Sequence, residues 1–168
     1  MTDYMDVLVK ELEWEAGKTR KALSHIPDDK FDWKPHEKSR NISSLSGHIA
    51  ELPGWIPFVL RHDELDFAKP VTFLGHQFTN KKDLLEFFEK TLKDSKAVLE
   101  KAKDEELSKS WIIRNGATIL VKATKGEILR RMCFNHIAHH RAQLGVYLRL
   151  LDVPVPQTYG PSADEMGF

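Results

Sequence analysis

The sequence predicts an all-α domain: a four-helix bundle with long connections and a small β-hairpin between the third and fourth helices. Three observations predict it. Four segments carry apolar residues at helical spacing. The pair Asn115-Gly116 lies between two short β-rich runs. The polar connections are too long for a simple up-and-down bundle with tight turns. No internal repeat or low-complexity segment divides the chain, so residues 1–168 are read as one domain.

The elements follow in order. The first helix covers residues 3–26, with Met5, Leu8, Leu12, Ala16, Leu23 and Ile26 on one face. Asp3 is its N-cap and Pro27 its stop. Residues 27–42 form a polar connection holding Pro27 and Pro35. The second helix starts near Ser43 or Ser44, both good caps, and carries the stripe Leu45, Ile49, Leu52, Ile56, Val59. Pro53 and Pro57 lie within that stripe, and each removes a backbone donor, which predicts a kink or an early end. Residues 63–80 read as an irregular connection. The third helix covers 81–103, with Leu84, Leu85, Phe88, Leu92 and Leu99 inward and lysines outward. In KSWIIRNGATILVKAT a hairpin is expected to turn at Asn115-Gly116, both with positive φ. The fourth helix runs from Lys125 to Leu151, where Asp152-Val-Pro-Val-Pro ends it before the tail QTYGPSADEMGF.

Bulk composition narrows the function. A chain of 168 residues can bury a core without disulfide or metal staples. Lys+Arg and Asp+Glu are 25 each, a zero net charge that argues against a non-specific nucleic-acid binder. No Lys/Arg-rich run suggests a membrane surface, and no apolar run approaches the ~20 residues that cross a bilayer. The N-terminus lacks the apolar segment of a signal peptide. Cys133 stands alone, which excludes an internal disulfide and suits a reducing compartment. The expected location is the cytoplasm.

The chemistry-bearing stretch is CFNHIAHHRAQLGVYLRLL, residues 133–151. At about 100° per residue, His136 and His140 straddle the centre of an apolar stripe that includes Leu129, Met132, Tyr147 and Leu150. His139 falls near its edge, and Arg130, Arg131, Arg141 and Arg149 fall outside. Two imidazoles at i and i+4 share one helix face and can share one ion. In the second helix, His48 lies in the sector of Leu45, Leu52, Trp55 and Val59, which turns a third imidazole inward. Three His ligands leave coordination positions open, the catalytic pattern. Three neutral nitrogens suit Zn²⁺ or Ni²⁺, then Fe²⁺, Co²⁺ or Cu²⁺, better than Mg²⁺ or Ca²⁺. The competing reading is three hydrogen-bonded core histidines, and the pattern alone leaves both open.

Other residues carry weaker readings. Glu51, three positions after His48, is either a hydrogen-bond partner or general base, or a solvated helix glutamate. Tyr159 either covers the site or packs. Cys133 reads as a small buried apolar residue, Arg141 as an ion-pair partner at a helix interface, and His139 as a surface-edge residue. His25, His36, His62 and His76 receive no role. No Glu-x-x-His, His-Glu-x-x-His, P-loop or Gly-x-Ser-x-Gly occurs.

Residues 135–165, NHIAHHRAQLGVYLRLLDVPVPQTYGPSADE, resemble the C-terminal signature of the DinB superfamily. The matching positions are His136, His140, Arg141, Gln143 and Leu144, then Tyr147-Leu148-Arg149, Pro154, Pro156 and Tyr159-Gly160-Pro161-Ser162. SSLSGHIAELPGW, residues 43–55, resembles the family's first-ligand segment, with His48 as that ligand. The resemblance implies a four-helix bundle of unusual connection order, usually dimeric, with a metal held by His48, His136 and His140. Exposed Tyr4, Val9 and Trp14 on the first helix fit a homodimer. The implied activity is Lewis-acid catalysis on a small molecule, including thiol-dependent S-transfer with a low-molecular-weight thiol. The alternatives are a metal-dependent hydrolase and a non-catalytic, stress-response metal-binding bundle. The metal is expected at the floor of a pocket roofed by the tail. The chain departs from the family in Pro53 and Pro57, just after His48, where they alter the helix and the pocket rim.

Overall fold

Asp3 caps the first helix, α1 (Tyr4–Ser24), by accepting a hydrogen bond from the Met5 N–H. The computed structural model describes residues 3–166; Met1, Thr2, Gly167 and Phe168, at the ends of the expected 1–168 domain, lie outside it. The second helix, α2, spans Ile42–Glu51 and is capped by Asn41, whose Oδ1 accepts from the Ser44 N–H at 2.9 Å. Neither Ser43 nor Ser44 is the cap, because Asn41 offers the same acceptor earlier in the chain. Ser43 instead bonds the backbone N–H and C=O of Phe78 and pins a distant loop to the helix.

The prolines break the second stripe. Leu52–Gly54 tightens into a 3₁₀ turn, and a short helix, α3 (Trp55–Arg61), follows. Pro57 cannot donate to the Pro53 carbonyl as a regular helix would require. The buried Ser95 hydroxyl lies 2.7 Å from that carbonyl and supplies a donor in its place.

Residues 63–80 are not wholly irregular. Glu64–Asp66 forms a strand, β1, parallel to β2 (Ser110–Asn115), which pairs antiparallel with β3 (Thr118–Thr124). The alternation Glu64-Leu65-Asp66 is too short to announce β1. Arg114 holds it from 50 residues away, reaching Glu64 at 2.6 Å and Asp66 at 3.1 Å. The hairpin turns one residue later than expected. Asn115 pairs with Thr118, so Gly116 and Ala117 form the turn, and only Gly116 takes a positive φ, 58°. That is the sign pattern of a II′ turn, which needs glycine only at its first central position.

The third long helix, α4 (Lys81–Leu99), is capped by Asn80 and ends four residues before the predicted boundary. The last begins at a capping box between Thr124 and Glu127 and runs through α5 (Lys125–Leu129), a π-helical segment (Arg130–Phe134) and α6 (Asn135–Leu150). A one-turn helix, α7 (Ala163–Met166), closes the tail. α1 and α2 each pack against both α4 and α6. The four long helices therefore form a ring in the order α1, α4, α2, α6, and the long connections 25–41 and 100–124 join helices across its diagonals.

The core has two parts. One gathers Leu8, Leu12, Trp55, Trp111, Ile128 and Phe134 at the sheet end; the other gathers Leu23, Ile42, Leu45, Ile49, Phe88 and Leu148. Along α6 the histidines fall where the chain passes from the first part, at Ile137, to the second, at Leu144.

Candidate metal centre

The π segment decides where the histidines point. Its wider turn adds a residue, and one residue is about 100° of helical phase. Before it, Lys125, Ile128 and Leu129 face the core; after it, Ile137, Arg141, Leu144 and Leu148 do. The uninterrupted wheel misjudged four positions. Leu150, placed inward, is 59% exposed; Arg141, placed outside, is buried; His136 and His140 lie on one edge of the buried face rather than astride its centre. An edge position suits a site that must be sheltered yet reached by a small molecule.

The neighbouring helix α2 supplies the third imidazole. Ligand nitrogens of His48, His136 and His140 all lie within 4.8 Å of one another. Ring centroids are 5.0 Å apart for His48–His136, 4.7 Å for His48–His140 and 4.6 Å for His136–His140. The Nε2 atoms of His136 and His140 are 2.9 Å apart. Two nitrogens bound tetrahedrally to one Zn²⁺ stand ~3.3 Å apart, given Zn–N bonds of ~2.05 Å, so a small side-chain adjustment admits an ion.

Each imidazole is oriented differently. Glu51 Oε1 lies 2.6 Å from His48 Nδ1, which directs His48 Nε2 to the cluster. Gln143 Oε1 lies 2.7 Å from His140 Nδ1, and the Gln143 amide nitrogen lies 3.1 Å from Nε2 of the exposed His139. His136 Nδ1 is buried without a hydrogen bond. Burial, then the neighbouring imidazoles, depress the proton affinity of two rings: His136 falls below the ordinary range and His140 to about 4. Both are therefore neutral at pH 7, with a lone pair to offer. This donor set, three neutral nitrogens and no carboxylate, fits a divalent transition ion better than Mg²⁺ or Ca²⁺.

Glu51 is not the solvated helix glutamate of the blander reading. It is buried, and its second oxygen accepts from the His76 N–H at 3.0 Å and meets His76 Nδ1 at 3.1 Å. Burial opposes its ionisation, but bonds from His48 and His76 outweigh this and hold the carboxyl below its usual range. His76 is the residue that sequence reading missed. Its segment carries no periodicity, and only Gly47 hinted at the contact: a Cβ there would stand 2.1 Å from the His76 carbonyl oxygen.

The tail does not supply the roof. Around His140 a pocket of about 400 Å³ is walled by Ser39, Arg40, Leu45, Gln143, Val146 and Tyr147, with the Tyr147 hydroxyl donating to the Arg40 carbonyl. Tyr159 instead joins a network beside the site. Its hydroxyl donates to Glu15 at 2.8 Å and accepts from Arg141 at 3.0 Å, and Arg141 reaches the other Glu15 oxygen at 2.6 Å. Burial, then the Glu15 carboxylate, raise the phenol's pKa. Cys133 is fully buried, and burial raises its thiol far above the ordinary range, so it is no nucleophile.

Comparison with known proteins agrees with this architecture. Three solved structures share the fold: a DinB-like protein from Bacillus cereus (TM-score 0.66, 18% identity, 88% of this chain and 92% of that one), the DinB-like protein YjoA from Bacillus subtilis (0.67, 21%, 90% and 98%), and YfiT from Bacillus subtilis (0.67, 15%, 90% and 90%). YfiT is described as a probable metal-dependent hydrolase with an unusual four-helix bundle topology. No curated protein matches the chain significantly. The model of the DinB family matches residues 1–167, and the chain belongs to that family.

Proposed function

We propose that the protein is a metal-dependent enzyme with one divalent transition ion held by His48, His136 and His140. The observation that carries this is the convergence of three imidazoles from two helices, two of them kept neutral and two held through Nδ1 by Glu51 and Gln143. When bound, such an ion supplies a Lewis acid that makes water or a thiol a strong nucleophile at neutral pH. Zn²⁺ or Ni²⁺ suits the ligands first.

The side chains have separable tasks. Glu51 accepts a hydrogen bond from His48 Nδ1 and so presents the Nε2 lone pair; it is a positioning residue, and its burial behind the imidazole removes it from the open side. Gln143 does the same for His140. Tyr159 positions Arg141, and through it the frame that joins α1 to α6. Arg40 and Tyr147, at the mouth beside His140, are the first groups a substrate meets. The hydrolytic reading takes water as nucleophile, in keeping with the description of YfiT. The transferase reading takes a low-molecular-weight thiol attacking a small electrophile. Metal analysis of the purified protein, then parallel hydrolytic and thiol-dependent screens, tests the proposal. Absence of stoichiometric transition metal after loading overturns it.

The reading extends to the whole chain. Residues 1–168 act as one domain, and no helix among the described residues is long and apolar enough to cross a membrane. The lone buried thiol fits the reducing cytoplasm. A homodimer would cover the exposed stripe of Tyr4, Val7 and Trp14 on α1. Val9 is partly buried against the core and is not part of that stripe. Sedimentation should give the dimer mass at micromolar concentration, and Trp14→Glu should shift it to the monomer; a monomeric parent chain refutes the dimer.

A further inference from the structure

A larger cavity, of about 680 Å³, opens between α3, α4 and residues 70–76. None of the three clustered imidazoles lines it, but Glu51 and His76 do. Its volume is that of a small-molecule site. Its walls are flat and apolar: Phe58 and Phe73 lie at 4.7 Å, tilted 30°, and Phe87 lies against His76 at 4.4 Å. Its charged rim is Arg61, Lys90 and Asp94. Asp94 is already engaged by Arg61 at 3.2 Å, which leaves the exposed Lys90 ammonium without a carboxylate partner among the described residues. Glu51, the other acid, is spent on His48 and His76. The free charge facing a ligand is therefore positive, and the surface beneath it is aromatic.

We propose that this cavity binds a small aromatic carboxylate, its ring against Phe58 and Phe73 and its charge at Lys90, and that occupancy is felt at His48. The transmission route is short. His76 lines the cavity and meets Glu51 through both its backbone N–H and Nδ1, and the same carboxylate holds His48 Nδ1. A ligand that presses on residues 71–76 shifts the group that aims one imidazole of the cluster. The cavity claim stands by itself; only its meaning for catalysis rests on the metal reading.

The probe is 1-naphthoate, titrated calorimetrically into the full chain both as purified and after chelation. One saturable site is expected in both, with neutral 1-naphthalenemethanol binding at least tenfold more weakly. Lys90→Glu, an exposed substitution on α4, should lose at least tenfold in affinity while Lys90→Arg keeps it. Phe73→Ala should weaken binding independently of charge. Saturation should move the His48 imidazole ¹⁵N signals in the chelated parent, and not in Glu51→Gln. No saturable binding at millimolar probe, or equal binding by Lys90→Glu and the parent, overturns the site. Binding that leaves the His48 signals in place overturns the coupling. Because these readouts need no metal, a protein that binds naphthoate but never loads metal would sink the proposed function and leave this inference intact.

Discussion

Glu51 Oε1 and His48 Nδ1 stand 2.6 Å apart in a setting where the carboxylate is only 2% exposed, so one proton joins an anion to the first imidazole of the cluster. Removing the carboxylate's charge while keeping its shape should loosen the metal without touching the ligands. Glu51→Gln is expected to weaken metal affinity by about 10- to 100-fold, as loss of such outer partners does elsewhere. Competition against a chromogenic chelator measures it, and unaltered affinity would show that Glu51 only packs.

Replacing His140 with alanine should abolish tight metal binding together with any activity, and leave the fold standing. The bundle is held by two large apolar clusters, and His140 sits at their margin. Metal content and thermal melting of His140→Ala beside the parent decide this. Full occupancy in the variant refutes the ligand assignment, whereas collapse of the fold makes the ion structural.

The buried pair Arg141–Glu15 fastens α6 to α1 next to the cluster, with side chains 2% and 8% exposed. Removing one partner strands the other charge, at a cost of roughly 3–5 kcal/mol. Arg141→Met alone should therefore destabilise strongly in urea unfolding, and Arg141→Met with Glu15→Leu should recover part of the loss. Tyr159→Phe, which removes one hydroxyl from the network, should cost only about 1 kcal/mol. A double variant no more stable than Arg141→Met would count against the stranded-charge account.

Gly47 has no side chain to offer the site, yet that absence lets the His76 backbone approach α2. A methyl there meets a carbonyl oxygen at 2.1 Å, and that oxygen belongs to main chain, which yields less easily than a flexible side chain. Gly47→Ala is expected to cost roughly 1–3 kcal/mol, a usual overpacking cost, and to displace residues 75–78. Faster proteolysis within that segment at native conditions would report the displacement; protection equal to the parent's would contradict it.

What could be read from the sequence divides along a physical line. The four long helices, the Asp3 cap and the broken second helix were visible, because apolar period, capping chemistry and proline act within a few residues. His48, His136 and His140 could be singled out because i,i+4 spacing and an inward sector are local properties. β1 was invisible, since Arg114 stabilises it from 50 residues away and three residues are too few for their alternation to stand out. His76 was invisible for the same reason, meeting Glu51 only once the chain has folded. The phase error around α6 came from assuming one unbroken period through residues 130–134, where the backbone takes another.

That π-helical stretch makes the alignment of the imidazoles depend on how many residues precede them as well as on which residues they are. Deleting any one residue from it would restore an unbroken α-helix, keep every histidine, and turn His136 and His140 away from His48 by about 100°. The cluster is thus set like a combination lock, where the count between wheels matters as much as the marks on them. Within this fold a single-codon insertion or loss could switch the site on or off in one step, with the ligand residues themselves unchanged.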